Sequence, residues 1–366
     1  MKIGIVTFHT AYNYGAVLQA YALQSYLAKI GHETFIINCD YKLDGPLTRR
    51  HHREWIRRGG SSLAAKVRRG ILAPLFQDFK KKHLAMGKYE YSNYLELQQK
   101  PPVANAYICG SDQIWHPNHF NSRDEGAIWL DFGIDSTKRI SYAASFGVSE
   151  LDDPIYARWA TYAIRFCAIS VREREAVDIM KKMGREDAVW VPDPVLLLNP
   201  SDYDCVAVHS GKYDTPSIFS YQIAAEWEQF DRTRDVAHEI FGVPCYDCRP
   251  SSIKHNLFHG GRISVGGWIS RMRNSRFVIT SSFHGVAFSL LYHRPFIVLL
   301  RSAKHPGVAR FTSLLKAVGL QHRVVSPFDQ TQVMRLCHEE IDWDRVDEKI
   351  SQARETGKQF LHDALL

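Results

Sequence analysis

Residues 277–300 read FVITSSFHGVAFSLLYHRPFIVLL and predict a strand, a loop, a helix and a second strand. The apolar, β-branched run 277–280 suits a buried strand, 286–292 suits a short helix, and 296–300 suits another buried strand. A strand–helix–strand unit of this kind implies a parallel sheet, in which the loop after a strand opens onto the ligand crevice. We therefore expect the intervening loop, SSFHG, to line a binding site.

His284 lies in this loop and is the first candidate for catalysis. Its imidazole can give or take a proton near neutral pH. Gly285 lets the backbone come close to a ligand, and the following helix points its first N–H groups at the loop, which favours an anion. A lone histidine more often caps a turn, so the position in the loop, and not the residue type, supports a functional role.

The amino-terminal residues predict a second unit of the same kind, with a strand at 2–8 and a helix at 16–30. Asn13 and Gly15 in the connecting loop are typical turn residues, and Tyr14 would either face a ligand such as a sugar or pack in the core. The loop has neither GxGxxG nor GxxxxGK[ST], so dinucleotide and P-loop nucleotide binding are not indicated.

Two further polar residues follow predicted strands. Asp112 comes after the strand 106–109, on the same kind of sheet edge as His284. Arg172 comes after the strand 168–171, where a guanidinium can bind phosphate or carboxylate through two parallel hydrogen bonds. An ordinary loop aspartate and a helix-surface arginine are the alternative interpretations.

The chain of 366 residues is long enough for two domains. Prolines concentrate just before residue 200, so we predict an N-terminal Rossmann-like domain at 1–193 and a C-terminal one at 194–340. A basic, mostly helical insertion is predicted at about 46–100, and a final helix at 341–366 is expected to pack across both domains.

Composition sets broad limits on function. An apolar content of 45% is ordinary for a globular protein, and no apolar run approaches the ~18 residues of a membrane span. Because MKIGIVTF enters a strand directly, we expect a cytoplasmic protein. The net charge of +7 suits an anionic substrate or an anionic membrane face; no signature of a nucleic-acid-binding module occurs.

The strongest basic cluster is RRHHREWIRRGGSSLAAKVRR at 49–69, which would either contact a membrane surface or form a solvated helix. The seven scattered cysteines are typical of reduced thiols. Cys245 and Cys248 are followed by His255 and His259, but the short separation lacks a zinc-finger pattern, so no metal site is predicted.

Several stretches together resemble the polysaccharide pyruvyl transferase family. They lie in the same order over roughly residues 1–325: KIGIVTFHTAYNYGAVLQAYAL, ICGSDQIW, ISYAASFG, ISVRERE, WVPDPVLLL, the stretch from 277, and RFTSLLKAVGL. The resemblance implies two Rossmann-like domains as in GT-B glycosyltransferases, with the active site in the cleft between them. It also implies transfer of the pyruvyl group of phosphoenolpyruvate to sugar hydroxyls as a cyclic ketal, without metal or other cofactor.

The same resemblance implies roles for particular residues. His284 matches the histidine of the family's Arg-x-His-Gly motif, and Arg172 matches a donor-binding arginine. Where many members have the arginine of that motif, this chain has Ser282, so the donor anion needs another cation. The predicted site residues are, for catalysis, His284 and Asp112; for the donor, Arg172, Ser282, Gly285, Arg310 and Lys304; and for the acceptor, Asn13, Tyr14 and Gly15.

In this chemistry His284 would act as the general acid and Asp112 as the base that takes the hydroxyl proton. The resemblance further implies a lipid-diphosphate-linked sugar acceptor, hence work at the inner membrane face in capsule or exopolysaccharide synthesis. Two alternatives stay open: a glycosyltransferase that uses a nucleotide sugar, and a sugar-binding protein of the same pathway without activity, which the change at Ser282 suggests.

Overall fold

Two parallel sheets, each covered by helices, form the protein. The computed structural model describes residues 1–39, 62–119, 124–223, 228–250, 263–300 and 308–366, with only the backbone described for 62–69. Within these ranges every strand pair is parallel. The central strands are buried along their whole length, as expected where helices cover both faces of a parallel sheet.

The first sheet has seven described strands in the order β3-β2-β1-β4-β5-β6-β7. Their bounds are β1 (Lys2–Val6), β2 (Glu33–Cys39), β3 (Met86–Tyr91), β4 (Ala106–Cys109), β5 (Lys138–Ala144), β6 (Ala168–Val171) and β7 (Val189–Trp190).

The second sheet has five described strands in the order β12-β11-β10-β8-β9. Their bounds are β8 (Ser217–Tyr221), β9 (Cys245–Cys248), β10 (Ser275–Thr280), β11 (Phe296–Leu299) and β12 (Val324–Val325). The predicted domain boundary after residue 193 falls between the last strand of the first sheet and the first strand of the second.

The described helices connect these strands. They are α1 (Tyr14–Lys29), α2 (Ser62–His83), α3 (Tyr94–Gln99), α4 (Glu125–Ile128), α5 (Asp153–Ala163), α6 (Arg174–Lys182), α7 (Gly211–Asp214), α8 (Glu228–Phe241), α9 (Val265–Asn274), α10 (Phe283–Leu291), α11 (Val308–Ala317), α12 (Gln330–His338) and α13 (Trp343–Leu365). Short 3₁₀ helices lie at Pro194–Leu196, Pro200–Tyr203 and Gln321–Arg323.

Two local predictions differ from the structure. The insertion at 46–100 is helical in α2 and α3, but between them β3 joins the edge of the first sheet; its half-exposed, mixed sequence MGKYEY gives a weak strand pattern. From the sequence alone, the apolar residues Ile263 and Val265 predict a short strand at 263–265. This segment instead leads into α9, because the Ser264 hydroxyl accepts the N–H of Gly267 and caps a helix there.

A shared hydrophobic cluster joins the two sheets. It contains Val17 and Ile108 from the first half together with Phe288 and Val298 from the second, all fully buried. Tyr14, at the start of α1, stacks on a tryptophan of α9 with ring centroids 5.8 Å apart. The two halves are therefore fixed against each other by apolar packing.

The last helix, α13, contacts both halves, as predicted. The Arg354 guanidinium donates to the carbonyl of Leu196 at 2.7 Å, and the Lys138 ammonium of β5 donates to a carbonyl near the end of the helix. At its beginning, Asp347 lies 2.9 Å from the imidazole of His293 in the second half.

Candidate active site

Three of the predicted site residues, Asn13, Asp112 and His284, lie where the strand order of each sheet reverses. In the first sheet the chain goes from β1 outward to β2 and later returns to the other side of β1 as β4; in the second, β9 and β10 flank β8. Ligands bind beyond the carboxyl ends of the strands at such switch points. Asn13 follows β1, Asp112 follows β4 and His284 follows β10, so residues from both switch points are available to one site.

His284 belongs to the first turn of α10 and is only 4% exposed. This differs from the prediction, which placed it in a loop before a helix starting at residue 286. Ser282 explains the earlier start, because its hydroxyl accepts the N–H of Gly285 at 3.3 Å and caps the helix. The imidazole is thereby fixed to a rigid element.

Gly15 of α1 lies directly against this imidazole. A Cβ atom at Gly15 would stand 2.1 Å from the Nδ1 of His284, far inside van der Waals contact. Asn13 holds the turn, since its side-chain oxygen accepts the N–H groups of Gly15 and Ala16 at 2.9 and 3.4 Å. The Asn13–Gly15 turn of the first half and the histidine of the second half are therefore in direct contact.

Arg172 is the centre of a buried ionic cluster. Its guanidinium lies 2.9 Å from Asp193, 3.3 Å from Glu173 and 3.7 Å from Asp112, and its face covers the ring of Phe283 at 4.3 Å. Burial would lower the pKa of Arg172, but the surrounding carboxylates raise it above its ordinary value, so the group stays charged. Because these carboxylates balance its charge, the structure gives Arg172 little capacity to neutralise a donor anion.

Asp193 and Glu173 are members of this cluster that sequence reasoning missed. The hydroxyl of Ser111 donates to Asp193 at 2.8 Å, and that of Ser145 donates to Glu173 at 2.6 Å. Burial raises the pKa of Glu173 against the opposing effect of Arg172. Asp193 lies three positions after the end of β7, as Asp112 does after β4, but its flanking prolines were interpreted only as a domain boundary.

Arg310 supplies a second cation beside the cluster. Its charge interacts with those of Arg172, Asp112 and Glu173, and burial followed by the repulsion from Arg172 lowers its pKa. Within the described part of the chain no carboxylate forms an ion pair with it, and its Nε has no hydrogen-bond partner. Burial, His119 and Arg310 also lower the pKa of His116 to about 3, so that imidazole is neutral.

Three residues that were predicted to contact ligands instead contact other parts of the protein. The Tyr14 hydroxyl donates to the carbonyl of Ile263 at 2.7 Å inside the core between the sheets, so we no longer assign it to the acceptor. Ser282 is 1% exposed and caps α10. A Cβ at Gly285 would meet the Thr280 hydroxyl at 2.3 Å, so this glycine serves helix–strand packing rather than approach of a ligand.

Other predicted features lie outside the described residues. Lys304, most of the basic cluster at 49–69, and the two histidines near the Cys245 pair belong to this group. In the ranges that the structure does describe, no three His, Cys, Asp or Glu side chains are grouped as metal ligands would be. Nor does any helix in those ranges have the length and apolar character to cross a bilayer.

Comparison with solved structures defines the class of fold. UDP-N-acetylglucosamine 2-epimerase from Rickettsia bellii is similar with a TM-score of 0.55 at 12% identity, covering 100% of this chain and 95% of that one. The enzyme of that name from Methanocaldococcus jannaschii gives a TM-score of 0.53 at 11% identity, with 93% of each chain covered. The protein therefore has the two-domain GT-B architecture that was predicted.

The family follows from the sequence match. The model of the family described as polysaccharide pyruvyl transferase matches residues 13–302, and the chain belongs to this family. The match includes Asn13, Arg172 and His284, the residues on which the resemblance was first noted. No curated protein sequence matches the chain.

Proposed function

We propose that the protein transfers the pyruvyl group of phosphoenolpyruvate to two hydroxyls of a sugar, forming a cyclic ketal. The observation that carries the proposal is the contact of His284 with the Asn13–Gly15 turn, together with the cation of Arg310 beside the Arg172 cluster, which has no ion-pair partner among the described residues. This arrangement offers a proton donor and an anion partner at the cleft between two Rossmann-like domains. Membership in the pyruvyl transferase family supports the reaction class.

Arg310 is the donor-binding cation in this proposal. Phosphoenolpyruvate carries about three negative charges, so its site needs positive charge that other carboxylates do not already balance. Arg172 faces Asp193, Glu173 and Asp112, whereas Arg310 has no ion-pair partner in the described ranges. Arg310 thus replaces the arginine that many family members have at the position of Ser282.

His284 donates a proton to the methylene carbon of phosphoenolpyruvate, which becomes the methyl group of the product. The positive character that develops at the neighbouring carbon is captured by the oxygen of the first sugar hydroxyl. The C–O bond to phosphate then breaks, and the second hydroxyl closes the ketal ring. Of the two protons lost by the hydroxyls, one restores His284 and one leaves with phosphate, so the reaction needs no oxidant or reductant.

Asp112 is the base that takes the proton of the attacking hydroxyl and passes it on to the departing phosphate. It follows β4 at the switch point of the first sheet and has a φ of 67°, a conformation that few non-glycine residues adopt. Its side chain is 15% exposed, more than that of Arg172 or Asp193, so it is the carboxylate of the cluster that a substrate can reach.

A lipid-diphosphate-linked hexose is the proposed acceptor, at the inner face of a membrane.

The experiment combines the protein with phosphoenolpyruvate and a panel of lipid-diphosphate-linked hexoses, following inorganic phosphate and product mass. We expect phosphate release that depends on the acceptor, together with a product carrying one pyruvyl ketal. His284→Gln should abolish both signals while still binding phosphoenolpyruvate in a calorimetric titration. Retention of full turnover in His284→Gln would overturn the site; release of a nucleotide from a nucleotide sugar would overturn the reaction.

A further inference from the structure

Both carboxylate oxygens of Asp193 have defined hydrogen-bond partners. It stands between Pro192 and Pro194, and its Oδ1 accepts the N–H of Val195 at 3.1 Å at the start of a 3₁₀ helix. Its side chain is fully buried. One carboxylate oxygen therefore fixes the local backbone, which leaves Oδ2 to point in a determined direction.

Groups from both halves of the protein lie close to Oδ2 of Asp193. Ser111 donates to it at 2.8 Å and the Arg172 guanidinium at 2.9 Å, both from the first half. From the second half, the Nε2 of His284 lies 3.5 Å away and is buried without a hydrogen-bond partner among the described residues. Hydrogen bonds of catalytic groups are often this long before substrate binds and shorten in the complex.

We propose that Asp193 is the positioning residue of His284: its carboxylate holds the proton of the neutral ring on Nε2 and stabilises the imidazolium. This inference rests on the proposed function for its kinetic consequences but not for its geometry. With Nε2 facing Asp193, the proton that moves in the reaction is carried by Nδ1, the atom that lies against Gly15.

The charges around Asp193 agree with this arrangement. Burial alone would raise the pKa of the Asp193 carboxyl, but the nearby charges of His284 and Arg172, together with the hydrogen bond from Arg172, hold it well below its ordinary value. Because the interaction between two charges is mutual, the carboxylate stabilises the imidazolium in turn. Among the described residues, other ionisable groups near this part of the site belong to the cluster, to β8 and to two tyrosines whose pKa values burial and the charge of Asp193 raise: Asp112, Arg172, Glu173, Arg310, Tyr221, Tyr142 and Tyr203.

Imidazole NMR of the ¹⁵N-histidine-labelled protein tests the geometry without any turnover. The His284 signals are identified by their loss in His284→Gln, and spectra are recorded with and without phosphoenolpyruvate. We expect the neutral wild-type ring to carry its proton on Nε2, and this preference to weaken in Asp193→Asn. Asp204→Asn, which alters an aspartate paired with Arg273 outside the cluster, should leave the His284 signals unchanged.

A wild-type ring that carries its proton on Nδ1 would overturn the inference, even if Asp193→Asn failed to fold. So would an Asp193→Asn protein whose His284 spectrum equals that of the wild type. Neither result depends on whether phosphoenolpyruvate is the substrate, so the failure of this inference can be told apart from failure of the proposed function.

Kinetics then test the consequence. Asp193→Asn should lower kcat about 100-fold, the lower end of what general acid–base catalysis supplies, with a much smaller change in KM for phosphoenolpyruvate. On the alkaline limb of the pH profile, the activity of Asp193→Asn should decline at a lower pH than that of the wild type, because the imidazolium has lost its counter-charge. An unchanged pH profile with a raised KM would assign Asp193 to donor binding and contradict the positioning role.

Discussion

Gly15 and His284 lie in direct contact and bring the two halves of the candidate site together. Gly15 belongs to the first turn after β1, and His284 to the first turn after β10, 269 positions later in the chain. No side chain larger than that of glycine fits between α1 and the imidazole, since a Cβ there would lie 2.1 Å from Nδ1.

Gly15→Ala should therefore inactivate the protein while leaving it folded. The added methyl group must displace the ring of His284, and a misplacement of about 1 Å at a catalytic group costs about 100-fold in rate. Ketal formation from phosphoenolpyruvate is the readout, with circular dichroism to verify the fold. Gly70→Ala is the matched control, because a Cβ at that position meets nothing within 4 Å; equal activity of the two variants would refute the contact.

Arg310→Gln should weaken donor binding. Removing the only described arginine of the cluster that lacks an ion-pair partner takes away a charge-assisted contact, so KM for phosphoenolpyruvate should rise about 10- to 100-fold. Initial rates over a range of donor concentrations measure this change. Arg174→Gln is the control, since Arg174 is exposed and stacks on Trp190. A rise in KM in Arg174→Gln but not in Arg310→Gln would contradict the assignment of Arg310 to donor binding.

Tyr14→Phe distinguishes packing from acceptor binding. The substitution keeps the aromatic stack on Trp268 and removes the hydrogen bond to the carbonyl of Ile263. We expect the free energy of unfolding to fall by about 1 kcal/mol, with KM for the acceptor unchanged. Urea denaturation and acceptor kinetics measure the two quantities, and a large rise in acceptor KM at unchanged stability would restore the ligand role predicted from sequence.

Asp193→Asn should destabilise the protein in a pH-dependent way. His284 and Arg172 hold the folded-state pKa of Asp193 below that of the unfolded chain, so the carboxylate stabilises the fold above the unfolded pKa of about 4. This contribution is lost as the pH falls through the folded pKa. The difference in free energy of unfolding between wild type and variant should be about 3 kcal/mol near neutral pH and shrink in acid. Urea denaturation at several pH values measures it; a difference that grows in acid would contradict the pairing.

The alternation of strands and helices was enough to predict the parallel sheets, because continuous apolar runs such as those in β1 and β10 are typical of strands buried on both faces of a parallel sheet. The edge strand β3 was missed since it is half-exposed and its alternation is weak. In the site, residues directly after strands were found one at a time, as with Asp112, Arg172 and His284. Their pairing across the two halves, through Gly15 and Asp193, depends on how the sheets pack and has no local sequence signal.

The interpretation of individual residues failed where one side chain had two plausible uses. Tyr14 and Gly285 were predicted in loops that face a ligand crevice, yet both lie in the first turns of helices and pack in the core. Ser282 was considered for donor binding because many family members have arginine there, whereas its hydroxyl caps α10. Only the three-dimensional contacts separate these uses.

The central claim is protonation of phosphoenolpyruvate by His284 followed by ketal formation, and mass spectrometry of the product made in D₂O tests it most directly. The account predicts a sugar ketal with one deuterium in its methyl group, formed by the wild type and lost in His284→Gln. A product without solvent deuterium, or an unchanged yield from the variant, would contradict it.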